Sequence, residues 1–241
     1  MKKNKNHLSA FTERLNNPKI SYLEIQQRKN FISKLKSFNL NNATALSISC
    51  GDGIWDYLAL TNGTGINSIV ATDIVQNPVK EEGIIALHNV GYWDFVKVEA
   101  DKKLPFKDNK FDVVYHQDVI EHTRKPYLSI SEQYRVLRPG GAIFVGTPNI
   151  FRPANIVKGL LGRLRFPVSI GGNTEIGDYV HEQEFHAYQL QILLEEAGFI
   201  NVTVDYVFLG FVFPNIMIKD FPKGGFGKTF AHFLVGSGFK E

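Results

Sequence analysis

The chain has one cysteine, Cys50, among its 241 residues. A lone thiol makes no internal disulfide and no cysteine-based zinc cluster. Long hydrophobic runs are missing too. The most apolar stretch, Tyr206 to Ile218, is too short to span a bilayer and contains Pro214. The first ten residues are polar and basic with no apolar stretch behind them, unlike a signal peptide. These absences predict a cytoplasmic protein without a transmembrane segment and leave peripheral contact with a membrane open. An excess of one charge is also lacking. The net charge of +3 is too small to argue for a nucleic-acid partner. No repeat or low-complexity tract interrupts the chain.

What is present is an ordinary globular composition, 44% hydrophobic and 21% charged. The length suits a single α/β domain over residues 1–241. Apolar positions Phe11, Leu15, Leu23, Ile25, Phe31, Ile32 and Leu35 have helical spacing, and Pro18 splits them into two helices. They predict a helical cap over residues 1–42. Strands are then predicted at Thr44–Ser49, Asn67–Thr72, Phe95–Glu99, Phe111–His116, Ala142–Thr147, Val202–Leu209 and His232–Phe239. Helices are predicted at Asn77–Asn89, Pro126–Leu137 and Ala187–Ala197. This alternation predicts a doubly wound, Rossmann-like sheet of seven strands, mostly parallel. The glycine-rich connection Phe221 to Lys228 replaces a long helix before the last strand, which is therefore expected to run antiparallel. Residues 149–183 break the alternation and predict a lid insertion after strand five. Within it, Asn155–Arg165 reads as a short amphipathic helix, followed by a flexible stretch at Gly171-Gly172.

The richest segment is Ala45-Leu-Ser-Ile-Ser-Cys-Gly-Asp-Gly53, a buried strand running into a glycine turn and then a helix at Ile54. Such a turn lets backbone N–H groups approach a ligand closely. Roughly twenty residues on, a second apolar run ends in Asp73, an acceptor suited to a ribose hydroxyl pair. Together they point to an adenine nucleoside across the first two strands. Cys50 is expected to pack beneath it.

Further motifs follow in order: Glu99-Ala-Asp-Lys-Lys-Leu-Pro-Phe, Phe111-Asp-Val-Val-Tyr-His-Gln-Asp-Val-Ile-Glu-His, Arg135-Val-Leu-Arg-Pro-Gly-Gly, Gly146-Thr-Pro-Asn and His181-Glu-Gln-Glu-Phe-His. Over about residues 40–205 the chain resembles class I S-adenosylmethionine-dependent methyltransferases of the small-molecule, methyltransferase 11 type. The resemblance implies S-adenosylmethionine as cofactor. It implies contacts from Ser49, Cys50, Gly51, Asp52, Gly53, Asp73, Ile74, Ala100, Asp101, Lys102, His116 and Gln117. Asp101 would meet the adenine amino group or orient the loop that does. Arg28 in the cap would pair with the cofactor carboxylate or serve as a helix surface charge. Two positions depart from the pattern: Ser47 replaces the motif's acidic residue, and Ser49 its first glycine.

Methyl transfer from a sulfonium needs alignment more than side-chain chemistry. A hydroxyl acceptor also gains from a general base. His181, at the end of the lid, is the first candidate base. His122 is the second, with a hydrogen bond shaping the turn as its structural alternative. Asp118, Glu121 and His122 have metal-ligand chemistry, but no fourth ligand is apparent, so no metal is expected. His181 and His186 are five apart, the wrong spacing for a zinc pair on one helix face. The acceptor is expected to be a small or lipid-linked molecule, with a glycan, phenol or secondary-metabolite hydroxyl favoured. No Asp/Asn-Pro-Pro-Tyr sequence follows strand four, which argues against nucleic-acid bases. Two alternatives are an inactive cofactor-binding partner subunit, supported by Ser47 and Ser49, and a nicotinamide oxidoreductase. The latter's Gly-x-Gly-x-x-Gly spacing is absent, because Asp56 stands three past Gly53.

Overall fold

The computed structural model describes residues 9–164, 166, 180–212, 215–219 and 227–241. Gly171-Gly172, Arg165 and most of the glycine-rich connection before the last strand lie outside the described residues.

Seven strands form one sheet: β1 (Ala43–Ser47), β2 (Ile66–Asp73), β3 (Tyr92–Lys97), β4 (Phe111–Gln117), β5 (Leu137–Pro148), β6 (Phe199–Val207) and, last in the chain, β9 (Phe233–Lys240). Their spatial order is β3-β2-β1-β4-β5-β9-β6. The pairs β1/β2, β1/β4, β2/β3 and β4/β5 are parallel, and β9 is antiparallel to both β5 and β6. The expected Rossmann-like sheet with an antiparallel last strand is therefore the observed one. The order reverses between β1 and β4, and the crevice at that switch point opens at the strands' carboxyl ends.

Both faces of the sheet are covered, so its strands read as continuous apolar runs. Within β4, Val113 and Tyr115 face one core layer and Val114 the other. The first layer packs α1 (Ser9–Leu15), α2 (Tyr22–Ser37), α3 (Ile54–Thr61) and α4 (Glu81–His88). Its centre is Phe31 of α2, fully buried, with edge contacts to Trp55, Tyr115 and Phe144. The opposite layer packs α5 (Pro126–Val136) and α7 (Ala187–Glu196) through Ile130, Leu190 and Leu194.

Several boundaries differ from expectation. β1 ends at Ser47, because Ile48 and Ser49 already belong to the turn. β3 starts at Tyr92, three residues early, in register with Ser68 of β2. α4 starts at Glu81, since Pro78 disfavours helix just before it and Asn77 Oδ1 caps the Val79 N–H at 3.1 Å. The apolar run after β6 is no continuation of that strand. It folds into a two-stranded hairpin, β7 (Leu209–Phe211) with β8 (Ile216–Lys219). The lid segment leaves and rejoins the body at one place, where Ile150 N donates to Phe185 O at 3.0 Å. Its helix α6 is Pro153–Leu160, shorter than expected. The side chain it buries is polar, Asn155, while Val157, Leu160 and Leu161 remain exposed.

Candidate active site

The turn after β1 makes three left-handed residues in five: Ser49 (φ 53), Gly51 (φ 54) and Gly53 (φ 83). Ser49 thus carries a side chain at a conformation natural to glycine, at a cost of roughly 1–2 kcal/mol. Each glycine has its own reason. A Cβ on Gly51 would meet nothing within 4 Å, so it borders open space at the crevice. A Cβ on Gly53 would press on Val79 at 3.2 Å and Leu87 at 3.3 Å, so that glycine lets α3 and α4 close together. The turn docks on the end of β2: Cys50 N donates to Thr72 O at 2.8 Å and Gly51 N to Asp73 Oδ2 at 3.2 Å. Val75 N donates to Asp73 Oδ1 at 3.3 Å. A carboxylate has about four acceptor positions, so Asp73 keeps capacity for a hydroxyl pair. Ile74 follows directly at the strand end. The Cys50 thiol is buried, and that burial, then Asp56 and Asp73, pushes its pKa far up, so it packs and does not react.

Ser47 leads to a residue that sequence reasoning passed over. Asp56 on α3 is fully buried and accepts from Trp93 Nε1 at 2.8 Å and Tyr115 Oη at 2.7 Å. Burial raises its pKa, and hydrogen bonds from Ser47, Trp93 and Tyr115 oppose the rise. A buried carboxylate thus stands beside Ser47, delivered from the helix.

The cap reaches the same turn. Arg14 contacts Asp52 directly, and Glu24 joins Arg14 at 3.5 Å to Arg28 at 2.6 Å. Arg28 is buried, and its Nε has no partner. Asp101 is occupied differently. Its two oxygens accept from Arg124 N at 3.0 Å and Lys125 N at 3.2 Å, at the entry to α5. Lys102 is exposed and pairs with Glu99 at 2.9 Å, while Ala100 is half-buried.

At the end of β4, His116 is 2% exposed and neither ring nitrogen has a partner. Burial pushes its pKa down to about 3, so the ring is neutral. Gln117 likewise has neither amide atom satisfied, and Gly146 of β5 leaves it room that a Cβ would fill. Buried polar groups are normally paired. These orphans, with the open space at Gly51, fit a polar ligand such as S-adenosylmethionine in the crevice.

Beyond β4 the chain turns sharply at Asp118 (φ 54) into a short 3-10 turn, Ile120–His122. Solvent reaches Asp118, yet the crevice walls enclose its carboxyl and push it up to about 6, with His181 and Arg152 pulling the other way. Glu121 is fully buried. Its Oε2 accepts from Thr147 Oγ1 at 2.9 Å and its Oε1 has no partner. Burial, then the Asp118 carboxylate, raises Glu121 well above the usual carboxylate range. The returning lid segment is pinned here, because Glu182 N donates to Glu121 O at 2.9 Å. That brings His181 against His122, ring centroids 4.9 Å apart and near perpendicular. His122 Nδ1 lies 3.0 Å from Val180 O, and His181 Nδ1 lies 2.8 Å from Glu184 Oε1. Burial lowers the His122 pKa. Arg152 at 2.5 Å and Asn155 at 2.7 Å hold Glu184, so the start of α6 orients the group that orients His181. Both expected catalytic histidines thus stand together, and His181 needs no lid closure to get there. Glu184 and Asn155 were not anticipated; Glu184 stands at i+3 from His181, a spacing with many other causes.

The fold, with a crevice at its switch point and a histidine pair after β4, is that of class I methyltransferases. Residues 46–145 match the methyltransferase-domain family model, and this match, the relatives and the fold together support a class I S-adenosylmethionine-dependent methyltransferase. A Mycobacterium tuberculosis protein described as a probable S-adenosylmethionine-dependent methyltransferase is 33% identical over 184 residues, 75% of this chain and 56% of that relative. The chain therefore spans little more than half that relative's length. A demethylmenaquinone methyltransferase of Staphylococcus aureus is 27% identical over 82% of this chain and 84% of its own. A solved S-adenosylmethionine-dependent methyltransferase from Thermotoga maritima shares the fold at a TM-score of 0.59 with 20% identity, covering 91% of each chain. No helix among the described residues is long and apolar enough to cross a membrane.

Proposed function

We propose that the whole chain moves a methyl group from S-adenosylmethionine to a hydroxyl of a small or lipid-linked acceptor held beside His122 and His181. The observation that carries this reading is the 2.8 Å His181–Glu184 contact at the carboxyl end of the sheet. Glu184 is held below the usual carboxylate range by the hydrogen bond from His181 and by Arg152, against the effect of burial. An ionised Glu184 accepts a hydrogen bond from the Nδ1–H of neutral His181, which leaves the Nε2 lone pair free. That lone pair faces the acceptor side and takes the hydroxyl proton as the new bond forms, and Glu184 then stabilises the imidazolium. His122 walls the same space.

On the donor side, bound S-adenosylmethionine supplies a methyl already activated by its sulfonium charge. Asp73 would hold the ribose hydroxyls, Gly51 would give the backbone close approach, Gln117 would face the base or the amino-acid portion, and Arg28 would meet the carboxylate. The apolar residues that α6 leaves exposed, Val157, Leu160 and Leu161, suit an acceptor with an apolar tail. The name of the S. aureus relative carries a quinone-type acceptor. Methyl transfer from labelled S-adenosylmethionine to a panel of phenols, quinols, glycans and lipid-linked sugars tests the reading. Tight cofactor binding with no transfer to any of them would favour an inactive partner subunit instead.

A further inference from the structure

Three ligating groups from two separate stretches of chain converge beside the crevice. Glu121, His122 and His181 each offer one atom, and these atoms all lie within 4.8 Å of one another. The surrounding hydrogen bonds show which atoms are free. Val180 O can only accept, so His122 carries its proton on Nδ1. Glu184 is held by Arg152 and Asn155, so His181 also donates from Nδ1. A neutral imidazole with one N–H has its lone pair on the other nitrogen. In the neutral form of each ring, Nε2 is therefore the atom that carries the lone pair. Glu121 has one oxygen on Thr147, while Oε1 is buried, unpartnered and 4.0 Å from His122 Nε2. Three electron-pair donors meet here, and none of the described groups donates to the Glu121 oxygen.

We propose that Glu121 Oε1, His122 Nε2 and His181 Nε2 form a binding site for a divalent first-row transition cation of the zinc type. Two bonds of about 2.1 Å to one centre bridge atoms up to about 4.2 Å apart. The Glu121–His122 separation of 4.0 Å already falls inside that reach. The outer hydrogen bonds are those of metal-bound histidines, whose second nitrogen donates to a carboxylate or a carbonyl. Two imidazoles and one carboxylate leave coordination positions open. The Glu121 side chain is 0% exposed, but those of His122 and His181 are 26% and 24% exposed, so the histidine side is reachable from solvent. A cation there occupies the imidazole lone pairs, so in the cation-loaded protein it replaces the His181 base and activates the acceptor hydroxyl itself, as it lowers the pKa of bound water. That consequence rests on the acceptor-site reading above; the cation site does not.

The test is direct binding to the tag-free full chain after chelation and dialysis. Zinc is titrated by calorimetry and cobalt by its visible absorption bands, with S-adenosylmethionine affinity measured on the same samples. One cation per chain is expected. His122→Asn and His181→Asn should each weaken binding by more than about 100-fold, and Glu184→Gln by about 10- to 100-fold. Both histidine variants should keep cooperative unfolding and wild-type cofactor affinity. Glu121→Gln should match them if it folds, and the histidine variants decide the matter if it does not. No zinc or cobalt uptake, or equal zinc affinity in wild type and His181→Asn, overturns the proposal. Zinc binding without cofactor binding would sink the methyltransferase reading and keep the cation site; cofactor binding without zinc does the reverse.

Discussion

The two sides of the crevice are built from different materials. The side that would receive the nucleoside is backbone and strand ends: a left-handed turn, the end of β2 and the end of β4. The side that would receive the acceptor is mostly side chains, drawn from the 3-10 turn after β4, the returning lid and the start of α6. Backbone geometry is shared by every chain that makes this turn, so the donor side is generic. The acceptor side depends on pairwise contacts such as His181 with Glu184 and Glu184 with Arg152. The difference teaches where specificity must reside. It also sets the form of the predictions, since side-chain loss should be felt as rate on one side and as affinity on the other.

The largest expected effect lies on the acceptor side. His181→Ala should lower kcat by about 10²-fold, the range for loss of general-base assistance. Cofactor affinity should stay unchanged, as measured by calorimetry. Glu184→Gln should give a smaller loss of kcat, because the imidazole remains but loses its orientation and its counter-charge. If His181→Ala keeps full kcat with every productive acceptor, alignment alone carries the reaction and the comparison collapses.

The donor side should answer with affinity. Asp73→Ala should weaken S-adenosylmethionine binding by roughly 1.5–3 kcal/mol, the value of hydrogen bonds to a charged acceptor. The turn should suffer as well, since Gly51 N and Val75 N both lose an acceptor. Far-ultraviolet circular dichroism and the thermal midpoint separate these effects. Equal cofactor affinity in a folded Asp73→Ala would remove the ribose assignment.

The donor side was legible in the sequence for a physical reason. A left-handed turn demands glycine or a tolerated substitute within a few consecutive residues, and β2 must end near it. Local spacing therefore carries the signal from Ser49 through Asp73. The β–α alternation was legible likewise, because strands buried on both faces are uniformly apolar. The acceptor side was legible only as isolated histidines. Nothing local shows that residue 181 returns to residue 122, since the chain between them passes through β5, α6 and residues outside those described. Asp56 was hidden for a similar reason: its partners Trp93 and Tyr115 sit on two other strands. The hairpin β7/β8 was missed because the pairing of two strands this short leaves no local signal in an apolar run. The position of β3 slipped by three residues because its register is set by pairing with β2.

His116 supplies a third test, in which the fold and the site share one residue. Its ring is neutral in the folded state, with the pKa down at about 3, against an unfolded value of about 6.5. Below pH 6.5 the unfolded chain binds a proton that the folded chain refuses. Stability from this group is therefore complete above pH 6.5 and is lost as pH falls toward 3. At pH 5 the loss is about 2 kcal/mol. His232, lowered to about 4 by burial, adds to the same acid slope. Urea unfolding of the cofactor-free protein at pH 7.5 and pH 5 should show the decline, and His116→Gln should flatten it. An unchanged slope in the variant would mean that the His116 ring is not held neutral by burial.

The smallest effect is expected where cap and turn meet through exposed charges. Arg14 and Asp52 have side chains 43% and 51% exposed, and pairs of that kind contribute about 0.2–1 kcal/mol. Arg14→Ser should therefore change stability by less than about 1 kcal/mol, and the change should shrink in 1 M salt, where screening reaches about 3 Å. Its value lies in what it does to affinity. If Arg14 and Glu24 hold Arg28 ready for the cofactor carboxylate, Arg14→Ser should raise the S-adenosylmethionine Kd by a few-fold at low salt, while the affinity for adenosine, which has no carboxylate, stays constant. An equal change for both ligands would show that the cap acts on the turn through Asp52 and not on the carboxylate through Arg28. The cap would then belong to the generic donor side, and its charge chain would be a surface feature of the fold.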